Sequence, residues 1–188
     1  RGIVSPDDTL VVLDDSIVRG TTLRESILTI FSRLEPKRII ILSSSPPIMY
    51  PDCYGIDMSR LGNFIAFEAA VALLHDRGEE ALLKDIEARC VEQEQKDRDP
   101  YVNHVRDIYD RFSLEELSGK ISELVSPQNV DWQGSVDVIY QTVEGLRAAM
   151  PGYEGDWYFS GNYPTPGGYR VLNRAYLNWC RNDDSRPY

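Results

Sequence analysis

The stretch LVVLDDSIVRGTTLRES, residues 10–26, decides the fold. Four branched apolar residues run into two adjacent aspartates, Asp14 and Asp15, and Gly20 then stands between Arg19 and two threonines. Thr9 to Leu13, bounded by Ser5-Pro6-Asp7-Asp8 before and the acidic pair after, has the pattern of a strand buried on both faces. From Thr21 onward the apolar period becomes helical, with Leu23, Ile27, Ile30, Phe31 and Leu34 on one side and Pro36 stopping the run. Ile39 to Leu42 is a second short apolar strand, closed by SSSPP at 43–47. Strand, helix and strand in that order make one βαβ unit of a parallel sheet. Ligands of such sheets sit beyond the carboxyl ends of the strands, and DDSIVRGTT falls there.

The turn is suited to an anion. Backbone N–H groups from about Ile17 to Thr22 stand at the start of a helix, where the macrodipole favours negative charge. Ser16, Thr21 and Thr22 add hydroxyl donors, and Gly20 is expected to let a ligand approach the backbone closely. Asp14 and Asp15 cannot serve a phosphate, because like charges repel. Their partners are the vicinal hydroxyls of a sugar, a divalent cation, or positive charge developing in a transition state. A phosphate on one side and a diol on the other describe a ribose 5-phosphate. Two aspartates after a strand are equally the mark of a solvated turn, and it is the order of strand, acidic pair, Gly-Thr turn and helix that favours a site.

Composition narrows the classes. With 188 residues, 42% of them apolar, the chain can bury one sizeable core. Its 20 basic and 30 acidic residues, net charge −10, argue against nucleic acid as a partner, since phosphate-backbone binding needs clustered cations. No apolar run approaches the roughly 18 residues of a membrane span, which leads to the expectation of a soluble, cytoplasmic protein. Cys53, Cys90 and Cys180 are odd in number and lack any Cys-x-x-Cys spacing, so neither a disulfide framework nor a zinc site is supported. The chain opens at Arg1 a few residues before a core strand, which reads as the later part of a longer protein.

Beyond a Tyr- and Pro-rich loop at Tyr50 to Asp57 the pattern turns helical. Leu61 to Leu74 is strongly apolar, and Glu79 to Gln95 alternates charge with Leu82, Leu83, Ile86 and Val91. Ser113 and Glu116 form a capping box ahead of Leu117, Ile121 and Leu124. Ser135 to Met150 reads as a further amphipathic helix, and Val171 to Cys180 as a short closing one. Between them YEGDWYFSGNYPTPGGY, residues 153–169, reads as a surface or interface loop. His75 and His104 are expected in surface or capping roles, and Trp132, Trp157 and Trp179 in the core or an interface.

The segment VVLDDSIVRGTT resembles the phosphoribosyl pyrophosphate loop of type I phosphoribosyltransferases, and DDSIVRGTT is similar to the version in the amidophosphoribosyltransferases. A second motif, SSPPIMYPDCYGID, resembles that family's Ser-Pro-Pro and Tyr-Gly-Ile-Asp signature, at Ser44 to Pro47 and Tyr54 to Asp57. FSGNYPTP, Phe159 to Pro166, is a third echo near the C-terminus. Other type I transferases share the acidic pair and a related turn but lack the second signature.

The resemblance implies an α/β fold, a type I phosphoribosyltransferase-like parallel sheet, partial in this chain, followed by a mainly helical C-terminal extension. Residues 1–76 would then be the later part of the transferase core and 77–188 the extension with its aromatic loop, the family's N-terminal glutaminase domain lying outside this chain. It implies that phosphoribosyl pyrophosphate and glutamine-derived ammonia give 5-phosphoribosylamine, glutamate and pyrophosphate in purine synthesis. Asp14 and Asp15 would hold the ribose hydroxyls, stabilise positive charge at the ribose and help to site Mg²⁺. Ser16, Ile17, Val18, Arg19, Gly20, Thr21 and Thr22 would cradle the 5-phosphate, with Arg19 either touching a phosphate or lying outside the turn. Homo-oligomers and feedback inhibition by purine nucleotides are further family expectations. Some members hold an iron–sulfur cluster; here Gly155 and Tyr158 stand at two of its cysteine places and Cys53 is one position out of step, so no cluster is expected. The chain alone is expected to be inactive. Alternatives are a type I transferase acting on a nucleobase, or a non-catalytic phosphoribosyl pyrophosphate sensor.

Overall fold

The computed structural model describes residues 3–53, 58–96, 100–128 and 131–187. Strands β1 (Thr9–Asp14), β2 (Arg38–Ser43) and β3 (Ser135–Tyr140) form a parallel sheet in that order. One continuous helix joins β1 to β2: α1 (Gly20–Thr22), a π-helical stretch (Leu23–Leu28) and α2 (Thr29–Ser32). The rest is mainly helical, as α3 (Ile65–Asp76), α4 (Ala81–Glu94), α5 (Arg106–Tyr109), α6 (Leu114–Val125), α7 (Val143–Ala149), α8 (Trp157–Ser160) and α9 (Pro166–Cys180). The α/β sheet with a helical continuation is the architecture the sequence implied. Among the described residues no helix is long and apolar enough to cross a membrane.

Strand β3 overturns the expected helix at Ser135 to Met150. Val136, Val138 and Tyr140 are buried while Ser135 and Ile139 are exposed, a period of two that suits a β-branched run paired residue for residue with β2. Two anchors fix it. Trp132 Nε1 donates to the Pro36 carbonyl at 2.6 Å, and the Val138 N–H donates to Ser122 Oγ of α6 at 2.8 Å. Helix begins only after Thr142, whose hydroxyl accepts the Gly145 N–H at 2.9 Å as an N-cap.

In-register residues of parallel strands share a face, so Leu10, Val12 and Asp14 stand with Ile39, Ile41 and Ser43 and with Val136, Val138 and Tyr140. This face meets the helices, with α6 packed on β3 and α3 on α6. The opposite face carries Val11, Leu13, Ile40, Leu42 and Ile139, with an Arg38–Asp137 ion pair of 2.6 Å near its N-terminal end. Burial of β1 on both faces is therefore corrected: Val11 is 60% and Leu13 76% exposed, because no described residues cover that side.

Helix α9 begins at Pro166, earlier than the expected Val171, since proline suits the first helical position. Gly168 is inside it because a Cβ there would lie 2.5 Å from the Tyr163 ring. Of the segment expected as a surface or interface loop, Tyr153 is exposed while the part from Trp157 to Tyr163 packs largely inward. Tyr163 is buried and donates to the Pro51 carbonyl at 2.7 Å, the Tyr158 carbonyl accepts from the N–H groups of Met49 and Tyr50, and residues 157–160 form a helical turn.

Candidate functional site

The acidic pair and its turn stand where the sheet's topology puts them, at the carboxyl end of β1. Asp14 is the last strand residue, Asp15 to Arg19 form the loop, and Gly20, Thr21 and Thr22 make the first helical turn. A cleft of about 500 Å³ opens here, lined by Asp14, Ser16, Ile17, Val18, Arg19 and Thr22. Leu23, Ile27 and Met58 complete its wall. Six of the nine expected residues thus share one cleft, whereas Asp15, Gly20 and Thr21 do not line it. Met58 was not foreseen; it follows the Tyr54–Asp57 signature, which lies outside the described residues.

Two features prepare the turn for an anion. Arg19 precedes the helix in an extended conformation and its side chain does not cap the first turn, so among the described residues no side chain is seen to take up its backbone donors. The helix continues to Ser32, long enough for its dipole to bear on that end. The π-helical stretch that follows is a rare geometry, frequent at functional sites.

Gly20 has a packing task. A Cβ on it would lie 2.6 Å from Ile65 Cδ1, so the missing side chain makes room for α3. The Ile65 N–H also donates to the Val18 carbonyl at 2.9 Å, tying the loop to the start of α3. What this loop offers a ligand is its backbone donors and the hydroxyls of Ser16 and Thr22.

The carboxylates differ from each other. Asp15 accepts the Ser16 N–H at 2.9 Å, and its own carbonyl accepts from Ser44 Oγ at 3.2 Å. Asp14 is half-buried, and its carboxyl is held above the ordinary aspartate range by burial first, then by its hydrogen bond to Asp15 and by that residue's charge. Such a carboxylate gains from a cation or from hydroxyl donors. Mg²⁺ is commonly bound by one or two carboxylates together with substrate phosphates, so the donor set fits that ion.

The remaining candidates fall into structural roles. His75 Nδ1 lies 3.2 Å from Glu80 Oε1 on the surface, and His104 is half-buried, its basicity lowered by burial and by Arg89. Trp132, Trp157 and Trp179 all pack against the core. Burial and Asp52 push the Cys53 thiol up, and Tyr158 donates to Asp52 Oδ1 at 3.3 Å. Among the described residues no three His, Cys, Asp or Glu side chains gather as a metal cluster would require.

Comparison with known proteins bears on the same chemistry. Over 61 residues, 32% of this chain, it is 43% identical to the amidophosphoribosyltransferase of Pasteurella multocida. The chain resembles amidophosphoribosyltransferases. The Bacillus subtilis amidophosphoribosyltransferase is 42% identical over 71 residues, 38% of this chain, and that of Schizosaccharomyces pombe 35% over 89 residues, 45% of this chain. The aligned stretches cover 12%, 14% and 16% of these three amidophosphoribosyltransferases respectively. No protein-family model matches the chain.

Proposed function

We propose that this chain is the phosphoribosyl pyrophosphate-binding part of an amidophosphoribosyltransferase and is catalytically silent by itself. One observation carries the reading: an uncapped helix start and a strand-end carboxylate face the same cleft. The 5-phosphate sits on the backbone donors of the turn, assisted by the hydroxyls of Ser16 and Thr22. Asp14, with Asp15 beside it, accepts hydrogen bonds from the ribose diol. As pyrophosphate leaves, the ribose becomes cationic, and a fixed carboxylate stabilises that charge as it forms. Asp14 and Asp15 would also hold Mg²⁺, which would neutralise the departing pyrophosphate. Ammonia derived from glutamine needs no general base as nucleophile, so the site requires no histidine or cysteine. An iron–sulfur cluster does not suit the donor set at Cys53, Gly155 and Tyr158, and stoichiometric iron and sulfide in purified protein would overturn that statement.

The test is calorimetric titration of the chain with phosphoribosyl pyrophosphate and Mg²⁺, followed by a pyrophosphate-release assay with ammonia. Saturable binding without release is the expected result. Absence of binding would refute the site, and turnover would refute the claim that the chain is silent alone.

A further inference from the structure

Tyr140, the last residue of β3, has a buried hydroxyl with no hydrogen-bond partner among the described residues. Its side chain is 7% exposed. Buried phenol hydroxyls normally find a partner, so an orphan asks what completes it. The other atoms in this condition belong to side chains with further contacts: Glu79 pairs with Arg111, Arg89 with Asp85, the Trp157 ring packs beside that of Tyr158, and the Asn173 amide donates to Gln93 and to the Val102 carbonyl.

The position of Tyr140 supplies the answer. Asp14, Ser43 and Tyr140 are in register at the carboxyl ends of the three strands and stand in one row on the helix-covered face. Strands lie about 4.8 Å apart, so the outer two backbones are separated by roughly 10 Å, much of which a tyrosine side chain can span. Ser43 between them is small, and its hydroxyl is turned to the Ser45 carbonyl at 2.9 Å.

We propose that Tyr140 is a positioning residue: its hydroxyl donates to the Asp14 carboxylate when a ribose diol is bound, holding that carboxylate toward the cleft. The inference rests on the phosphoribosyl reading of the cleft. In the free protein Asp14 stands beside Asp15, which accepts the Ser16 N–H. A bound diol draws the carboxylate toward the sugar, and the phenol supplies the donor that fixes the new orientation. Tyr140 does not line the cleft that holds Asp14 and the turn, so in this role it acts on the diol through Asp14 and leaves the phosphate turn unaffected.

The test uses two probes, ribose 5-phosphate and inorganic phosphate, titrated into the chain by calorimetry for wild type, Tyr140→Phe, Asp14→Asn and the double variant. Tyr140→Phe is expected to weaken ribose 5-phosphate roughly tenfold, in the range of one charge-assisted hydrogen bond, and to leave inorganic phosphate unchanged. In the Asp14→Asn background the tyrosine substitution should have no further effect. Equal losses for both probes would mean a general disturbance and overturn the proposal, as would additive effects in the double variant. A lowered Tm for Tyr140→Phe would show the hydroxyl already satisfied in the free fold, with the same consequence. If wild type binds ribose 5-phosphate, Asp14→Asn weakens it and Tyr140→Phe does not, only the tyrosine's role fails. If wild type does not bind ribose 5-phosphate, the phosphoribosyl reading fails and the proposal with it.

Discussion

Replacing Asp14 by asparagine should separate stability from binding in opposite directions. The folded protein holds the Asp14 proton more tightly than an unfolded chain does, since the carboxyl stands above its model value of 3.8 through burial and then Asp15. Ionised Asp14 therefore costs stability at neutral pH, and the cost disappears below about pH 3.8, where both states are protonated. Asparagine removes the charge while keeping the shape. Solvent screening at this half-buried position limits the gain to that of a surface pair, about 0.2–1 kcal/mol, or a rise in Tm of about 1–3 °C for a domain of this size. Binding should fall instead. Loss of a charged acceptor costs about 1.5–3 kcal/mol, some 10- to 100-fold in affinity. Circular dichroism melts and calorimetry with phosphoribosyl pyrophosphate and Mg²⁺ measure both quantities on one preparation. A variant that melts several degrees lower and binds as wild type would refute the assignment of Asp14 to the ligand.

Gly20→Ala should cost about 1–3 kcal/mol by urea unfolding, because its Cβ would meet the buried Ile65 Cδ1 at 2.6 Å. Adding Ile65→Val, which removes that atom, should recover part of the loss, and no recovery would mean that the strain lies elsewhere. Thr142→Ala should cost about 1 kcal/mol through the lost cap on α7; an unchanged midpoint would argue that β3 alone sets the start of that helix. Glu116 titrates below its ordinary 4.5, held there first by the Ser113 N–H and the Ser113 hydroxyl and then by Arg77. Its contribution is present above pH 4.5 and is lost as pH falls through the depressed folded value. Glu116→Gln should therefore flatten the acid limb of a Tm-against-pH curve, and parallel curves for the two proteins would count against the capping box.

The β1–loop–helix–β2 unit was legible because its signals are local: an apolar run between acids, a change of period at Thr21, and a proline at 36. The capping box at Ser113 was legible for the same reason, and both of its hydrogen bonds form. What escaped depends on partners distant in sequence. VDVIYQTVEGLRAAM carries both periods, and pairing with β2 selects the strand over the helix. The purpose of Gly20 is set by Ile65, and the inward packing of Tyr163 by the Pro51 carbonyl. The orphaned hydroxyl of Tyr140 needs three strands in register before it has meaning.

The open face of the sheet makes the chain's solution behaviour a contest between two ranges of force. Val11, Leu13 and Ile139, joined across the sheet by the half-buried Leu42, offer an apolar stripe of the kind that draws like copies together at contact. The net charge of −10 acts over about 8–10 Å at moderate salt and holds those copies apart before contact is reached. The acidic surface is thus a colloidal stabiliser for an otherwise adhesive sheet. Added salt or acid should withdraw that protection without altering the fold, and light scattering should record association while circular dichroism stays constant.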